Sequence, residues 1–354
     1  MSHTLCDRRV LITGASGFMG SWLTKYLLEQ GAIVTTILAD WNPNSYFVHS
    51  GVIYQVKNIV GSIEDYSLLE KVISDHNINT VFHLAAISVE GLAFEKPRQA
   101  FEINIRGTYN ILEACRVHSD LVQRVVVASS DKAYGDSPIL PYTEDLPTVG
   151  KNPYDVSKSC GDMIARSYHN SYGLPVVIGR FGNIYGGGDL NLNRLIPNTI
   201  RCLLQNQPPI IRVPIQGSFM RDFLYVQDAV NAYIAMFEGL ENPKVHGEAF
   251  NFAMGGSWKV LEIVQKIQHL MNREDIEPVV IPQSHGEILH QHVSIEKAQK
   301  ILGWTPRYSF NEGLRETIEW YTEFLGSPSV ANGQNSLVAP PFSSAPELNN
   351  QISG

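Results

Sequence analysis

The chain has 354 residues, 44% of them hydrophobic and 18% charged, with a formal net charge of −8 at pH 7. That length supports one large α/β domain or two modest ones with a proper core, and the acidic balance argues against a surface built to hold nucleic-acid phosphates non-specifically. The cysteines Cys6, Cys115, Cys160 and Cys202 are scattered with no CxxC pair, which argues against a zinc or disulfide framework and fits a reducing cytoplasm. The N-terminus runs straight into a strand pattern, so no signal peptide is expected. No apolar run approaches the ~18 residues of a membrane helix.

In chain order, Val10–Ile12 predicts a short buried strand, and Phe18–Gln30 a helix ended by Gly31 in the C′ position. Strands are expected at Ile33–Leu38, more weakly at Ile53–Val56, and at Thr80–Leu84, with a helix over Tyr66–Asp75. A long helix over Pro97–His118, a strand at Arg124–Ala128, a helix over Asp155–Tyr172 and a strand at Pro175–Arg180 follow. Short apolar strands separated by helices indicate a parallel sheet covered on both faces, an α/β fold of the doubly wound Rossmann type.

After Arg180 the rhythm changes. Gly182–Pro214 holds a glycine-rich loop and a helix near Leu195–Leu204; Phe223–Glu238 reads as strand then helix. Ala249–Ala253 reads as a strand, Lys259–Met271 as a helix, Val279–Ile281 as a strand, and Thr305–Phe324 as a turn and closing helix. The expected organisation is a Rossmann domain over 1–181 and a smaller substrate lobe over 182–325, interleaved with the end of the main sheet. The tail 326–354, rich in Ser, Pro, Asn and Gly, is expected to be disordered.

The stretch VLITGASGFMGSWL places Gly14, Gly17 and Gly20 between a strand and a helix. Glycines there permit a tight turn and close approach of backbone to a pyrophosphate, while the free N–H groups at Phe18 and Met19 open the helix. Asp40 ends the second strand, twenty residues past Gly20. A carboxylate there accepts both ribose hydroxyls of NAD and repels a 2′-phosphate, so NAD is expected over NADP.

GxxGxxG, then HLAA (His83–Ala86), then Tyr154-x-x-x-Lys158 resembles the extended short-chain dehydrogenase/reductase superfamily, over about Leu5–Tyr321. The resemblance implies NAD(P) in the N-terminal sheet and a nucleotide-sugar in the C-terminal lobe. It implies that Gly61-Ser62-Ile63 is the adenine-side turn, with serine where many members have aspartate, and that Ala85, Ala86 and Asn104 sit near the cofactor. It also implies a homodimer built on two helices per subunit, here Pro97–His118 and Asp155–Tyr172.

Tyr154 and Lys158, four apart, share a helix face. An ammonium beside a phenol lowers its pKa, so that Tyr154 can take a proton from a sugar hydroxyl while Lys158 holds the nicotinamide ribose. In ASSDKAYG, Ser130 matches the superfamily serine that hydrogen-bonds the reacting hydroxyl, in the pattern S-x-x-x-Y-G. The next residues, Asp131 and Lys132, resemble the acid and base of nucleotide-sugar 4,6-dehydratases. Oxidation at C4 makes the C5 proton acidic; Lys132 is expected to remove it and Asp131 to protonate the departing C6 hydroxyl. Burial disfavours charge on both, whereas their adjacency favours it.

RFGNIYGGGD (Arg180–Asp189) followed by RLIP (Arg194–Pro197) resembles the matching segment of CDP-glucose 4,6-dehydratases. That implies Asn183 on the sugar or its phosphate and Gly186–Gly188 passing close to the ligand, with Arg194 beside it. In RDFLYVQD, Arg221 would face the diphosphate or ribose, unless Asp222 holds it as a structural pair. His285, His290 and His292 lack metal-ligand spacing and read as a lobe loop; no metal is expected. The leading expectation is an NAD-dependent nucleotide-hexose 4,6-dehydratase with CDP-glucose as first substrate. A 4-epimerase and a non-catalytic NAD(H)-sensing protein are the alternatives.

Overall fold

The computed structural model describes residues 5–214, 218–283 and 288–326; the tail from Ser327 and His285 lie outside them. The strands are β1 Arg9–Thr13, β2 Ile33–Leu38, β3 Lys57–Val60, β4 Thr80–His83, β5 Arg124–Ser130, β6 Val176–Phe181, β7 Asn183–Tyr185, β8 Ile210–Pro214, β9 Met220–Tyr225, β10 Ala249–Phe252, β11 Ser257–Lys259, β12 Val279–Gln283 and β13 His290–Gln291. The helices are α1 Phe18–Glu29, α2 Tyr46–His49, α3 Tyr66–Asp75, α4 Glu90–Glu95, α5 Pro97–Phe101, α6 Gly107–Val117, α7 Pro153–Tyr172, α8 Leu195–Leu204, α9 Val226–Gly239, α10 Val260–Leu270 and α11 Phe310–Gly326.

A seven-stranded parallel sheet runs β10-β6-β5-β4-β1-β2-β3. Apart from the edge strand β3, its strands are buried on both faces, and neighbouring residues divide between two cores, as the two-residue period of a strand requires. Val10, Ile12, Phe82, Val126 and Val177 pack with α1 and α9; Leu11, Val81, Val125, Val127 and Ile178 pack with α3, α6 and α7. Strand order reverses between β1 and β4, and the crevice at that switch point is where doubly wound sheets take ligands. A smaller sheet, β11-β9-β13 with β7 also along β9, stands beyond the C-terminal ends of the main strands, and β8 pairs with β12. No helix among the described residues is long and apolar enough to cross a membrane.

Helix α7 starts and stops as its sequence dictates. Pro153 stands at N1, Asn152 and Asp155 form a reciprocal capping box, and Gly173 closes it at φ +71°. Two expectations need correction. Ile53–Val56 is not a strand: Val52–Gln55 is a 3₁₀ turn whose Val52 and Ile53 enter the core, and the edge strand follows at Lys57–Val60. The apolar pair that suggested a strand fills the core from a turn, while the true strand, mostly exposed, has little apolar pattern. The run from Pro97 is not uniformly α-helical either: a π turn over Glu102–Arg106 separates α5 from α6. Two short helices, α2 and α4, and the short strands of the lobe carry too few residues to show a period, and His290 belongs to such a strand.

A Cβ at Gly20 would sit 2.0 Å from the Gly14 carbonyl oxygen, so helix and loop touch backbone to backbone. Gly20→Ala is therefore expected to cost at least about 2 kcal/mol of stability, read as a lowered unfolding midpoint in urea.

Candidate active site

At the switch point Gly14 takes φ +78°, and a Cβ there would lie 2.7 Å from the Ala85 amide nitrogen. The loops after β1 and β4 thus meet through a residue without a side chain. Gly17 caps α1 with no side-chain bond, and the first turn of that helix carries no acid. Its N-terminal amides, those of Phe18 and Met19 among them, are left for an anion. Asp40 is exposed just beyond β2. Ser62 turns inward on its own loop, donating to Glu64 Oε2 at 3.0 Å and accepting from the Glu64 amide. Ile63 is buried against Gly107, where a Cβ would collide with its Cδ1 at 2.3 Å. Ala85 donates to Thr13 Oγ1 at 3.3 Å and, with Ala86, stays partly exposed at the end of β4. This loop set fits a dinucleotide.

Asn104 braces the loop that follows β4. Buried in the π turn, it clamps the Ile87 backbone through both amide atoms, at 2.7 and 3.0 Å, and donates to Ser157 Oγ at 2.9 Å. It fixes the loop after β4, which carries Ala85 and Ala86, against α7. His83 is likewise structural: it bridges Thr13 Oγ1 and Thr108 Oγ1, and burial beside Lys158 lowers it to about 3.

Strand β5 ends at Ser130, and Asp131–Tyr134 makes a 3₁₀ turn capped by the Ser130 hydroxyl, which accepts from the Lys132 amide at 3.2 Å. The same hydroxyl donates to Asp131 Oδ1 at 3.1 Å and shares a hydrogen bond with Tyr154. Ser130, Asp131, Lys132 and Tyr154 are all at most 9% exposed. Burial pushes the Asp131 carboxyl up to about 6, against the pull of Lys132 and of the Ser130 hydrogen bond. Lys132 Nζ lies 3.2 Å from Glu90 Oε1 on α4, a residue that the sequence did not single out because its helix is too short to predict.

The electrostatics of the Tyr154–Lys158 pair differ from expectation. Lys158 Nζ donates to the Ala128 carbonyl at 3.1 Å, and burial lowers this lysine to about 8. The Tyr154 phenol stands above its ordinary value, not below it. Burial is the main cause; Glu90 and Asp131 add to it, while the Ser130 hydrogen bond and Arg194 oppose it.

From the lobe, Arg194 pairs with Asp189 at 3.1 Å and is near enough for its charge to act on Tyr154. Arg221 donates to the Met220 and Leu289 carbonyls at 3.0 and 3.2 Å, lies over the Phe219 ring, and acts electrostatically on Asp131. Asp222, next along β9, points to the other face of the sheet and accepts from the Val293 amide at 3.3 Å. Asn183 donates to the Asp222 carbonyl at 3.0 Å, tying β7 to β9. Gly186–Gly188, expected to approach a ligand, make room for Val226, Trp320 and Tyr46, each of which a Cβ would strike.

The family model described as GDP-mannose 4,6 dehydratase matches residues 11–317. The chain belongs to the GDP-mannose 4,6 dehydratase family. It is 31% identical to CDP-glucose 4,6-dehydratase of Salmonella typhimurium over 334 residues, 90% of this chain and 91% of that one. The UDP-glucose 4-epimerase of Thermotoga maritima, solved with UDP-glucose, superposes with a TM-score of 0.81 at 26% identity, covering 90% of this chain and 99% of that one. The dTDP-glucose 4,6-dehydratase of Bacillus anthracis, solved in complex with NAD, gives 0.78 at 26% identity, covering 90% and 98%. This family member is thus an extended short-chain dehydrogenase/reductase among nucleotide-sugar dehydratases and epimerases, as the glycine, HLAA and Tyr-x-x-x-Lys motifs indicated.

Asp222 carries a pH signature in this family member. Burial raises its carboxyl from 3.8 to about 8, with the nearby Asp131 charge adding to the shift. The folded state therefore holds a proton that the unfolded state releases near the ordinary value. The associated stability is complete below about 3.8 and is lost as pH rises through about 8. Thermal midpoints are expected to fall across that window. Asp222→Asn, whose side-chain oxygen still accepts from Val293, should flatten the fall and gain on the order of a few kcal/mol at its alkaline end.

Proposed function

We propose that the protein is an NAD-dependent nucleotide-hexose 4,6-dehydratase that converts its substrate to a 4-keto-6-deoxy sugar. The observation that carries this reading is the pair Asp131 and Lys132, 3% and 6% exposed, beside Ser130 and Tyr154 at the end of β5. A buried acid and amine adjoining a Tyr/Ser pair suit elimination, whereas simple inversion at C4 needs neither. CDP-glucose is the first substrate to try, supported by the identity to the Salmonella enzyme over 90% of the chain.

NAD, when bound, supplies the acceptor and later the donor of one hydride. The residues of the chain move the protons. Tyr154, steadied by Ser130, must first give up its own phenolic proton, which burial favours keeping; as the phenolate it receives the proton of the C4 hydroxyl as C4 becomes a ketone. Lys132 removes the C5 proton that the ketone has made acidic. The C5–H electron pair becomes the C5=C6 bond, and the C6 hydroxyl leaves as water with the proton of Asp131. A proton returned to C5 completes the product as hydride reaches C6. An Asp131 carboxyl raised to about 6 is partly protonated near neutral pH and can donate. Its acid form is lost as pH rises through that value.

Incubation with CDP-, dTDP-, UDP- and GDP-hexoses tests the assignment. A product lighter by one water with a 4-keto group supports it. Unchanged mass with an inverted C4 would indicate an epimerase, and no conversion of any nucleotide-hexose a binding protein. In Lys132→Ala, C4 oxidation is expected to survive while water loss falls by ~10²-fold or more; normal water loss would remove Lys132 from the role of base. Helices α6 and α7 expose Tyr109, Val117, Met163 and Tyr172 at 40–61%, apolar surface suited to a second copy of the chain, and a dimer mass in light scattering is the expected outcome.

A further inference from the structure

We infer that Glu90 is the relay that exchanges the Lys132 proton with solvent; the inference rests on the proposed role of Lys132 as the C5 base. The Lys132 side chain is 8% exposed and is ion-paired at 3.2 Å with Glu90, whose side chain is 42% exposed. One end of the pair is closed inside the site and the other is in water. Glu90 opens α4 directly after the loop that Asn104 clamps at Ile87, so its placement is set by the fold. Its charge also acts on Asp131, Tyr154 and Asp155, which puts it in the midst of the acid–base groups.

The chemistry calls for such a group. An amine paired as an ammonium cannot accept the C5 proton; it must first hand one of its own to an acceptor. The Glu90 carboxylate is within hydrogen-bond reach, and the transfer leaves a neutral amine and a carboxylic acid. The acid then loses its proton to water through its exposed face. Lys132 next takes the C5 proton as C5=C6 forms, passes it out through Glu90 to water and takes a solvent proton back by the same route before it protonates C5. The hydrogen placed on C5 of the product therefore comes from solvent.

A structural Glu90 would simply offset the lysine charge, and a hydrogen label separates the two roles. Nucleotide-hexose deuterated at C5 is converted in ordinary water, and deuterium at C5 of the product is measured by mass spectrometry and NMR. The wild-type product is expected to have lost the label. In Glu90→Gln, turnover is expected to fall about tenfold or more. The label should be partly returned, up to roughly one third, because an ammonium carries three equivalent hydrogens. Glu90→Asp, which keeps a carboxylate, should restore washout and guards against a folding defect in the glutamine variant. A Glu90→Gln enzyme that eliminates water and washes out the label as completely as wild type would overturn the relay alone. A wild-type enzyme that eliminates no water would overturn the dehydratase reading and the relay with it.

Discussion

The site depends on one buried ion pair. Arg180 on β6 grips Asp162 on α7 through two hydrogen bonds of 2.7 and 2.9 Å, both side chains about 1% exposed. Its remaining reach goes to the Tyr134 hydroxyl at 2.8 Å, and its guanidinium lies 4.7 Å from that ring centroid. Tyr134 donates onward to Asn251 of β10 at 2.8 Å. Strand, helix and turn thus meet in a network whose polar groups are satisfied, the condition under which a buried pair is tolerable. Asp162 lies one helical turn beyond Lys158, and Tyr134 ends the turn that bears Asp131 and Lys132. The pair therefore sets the distance between the tyrosine–lysine helix and the acid–base turn. Removal of one partner would strand a charge at a cost of about 3–5 kcal/mol. Ser159 adds a second brace, donating to the Ala133 carbonyl at 2.8 Å.

That rigid frame permits something a looser one could not: a dry cluster of titratable groups with conflicting preferences. Burial drives Asp131 and Tyr154 toward their neutral forms and Lys158 away from its cation. Each shift is a cost to the ionised state of a group to which the proposed reaction assigns a role. The cluster persists because its backbone supports are held elsewhere, by Arg180, Ser159 and the Asn104 clamp. Neighbouring residues of the same helix thus divide the work: Asp162 and Ser159 hold α7, while Tyr154 and Lys158 carry the proposed chemistry.

The sheet was legible because its strands repeat one apolar idiom and its helices carry their own punctuation, such as Asn152-Pro153 and Gly173. The glycine loop and the Tyr-x-x-x-Lys spacing were legible because each is a local pattern with a local cause. What escaped the sequence is what only three dimensions supply. Glu90 reaches Lys132 from forty-two positions earlier in the chain, on a helix of six residues. The clamp that Asn104 places on Ile87 has no signature in the sequence. The Gly186–Gly188 run reads as a ligand cradle, but the atoms that need its space belong to Tyr46, Trp320 and Val226. A glycine reports that something comes close, not what.

The motif Arg221-Asp222 shows why a pair adjacent in sequence need not be a unit in space. Strand pleating turns the arginine to the Met220 and Leu289 carbonyls and the carboxylate to the Val293 amide, while the charge of Asp131 couples to both. Asp222 thereby holds the segment after β13, whose His292 carbonyl accepts from the Tyr142 amide at 2.9 Å and whose Ser294 amide donates back to Tyr142 at 2.8 Å. The Tyr142 carbonyl also receives the Asn251 side chain at 3.1 Å, and Asn251 is the acceptor of Tyr134. A continuous chain of hydrogen bonds therefore runs from the lobe strand that presents Arg221 to the turn that presents Asp131. The lobe is not merely placed against the Rossmann sheet: it is registered to the turn that bears Asp131 and Lys132, and the spacing between the arginine and the acid is a property of the fold before any substrate arrives.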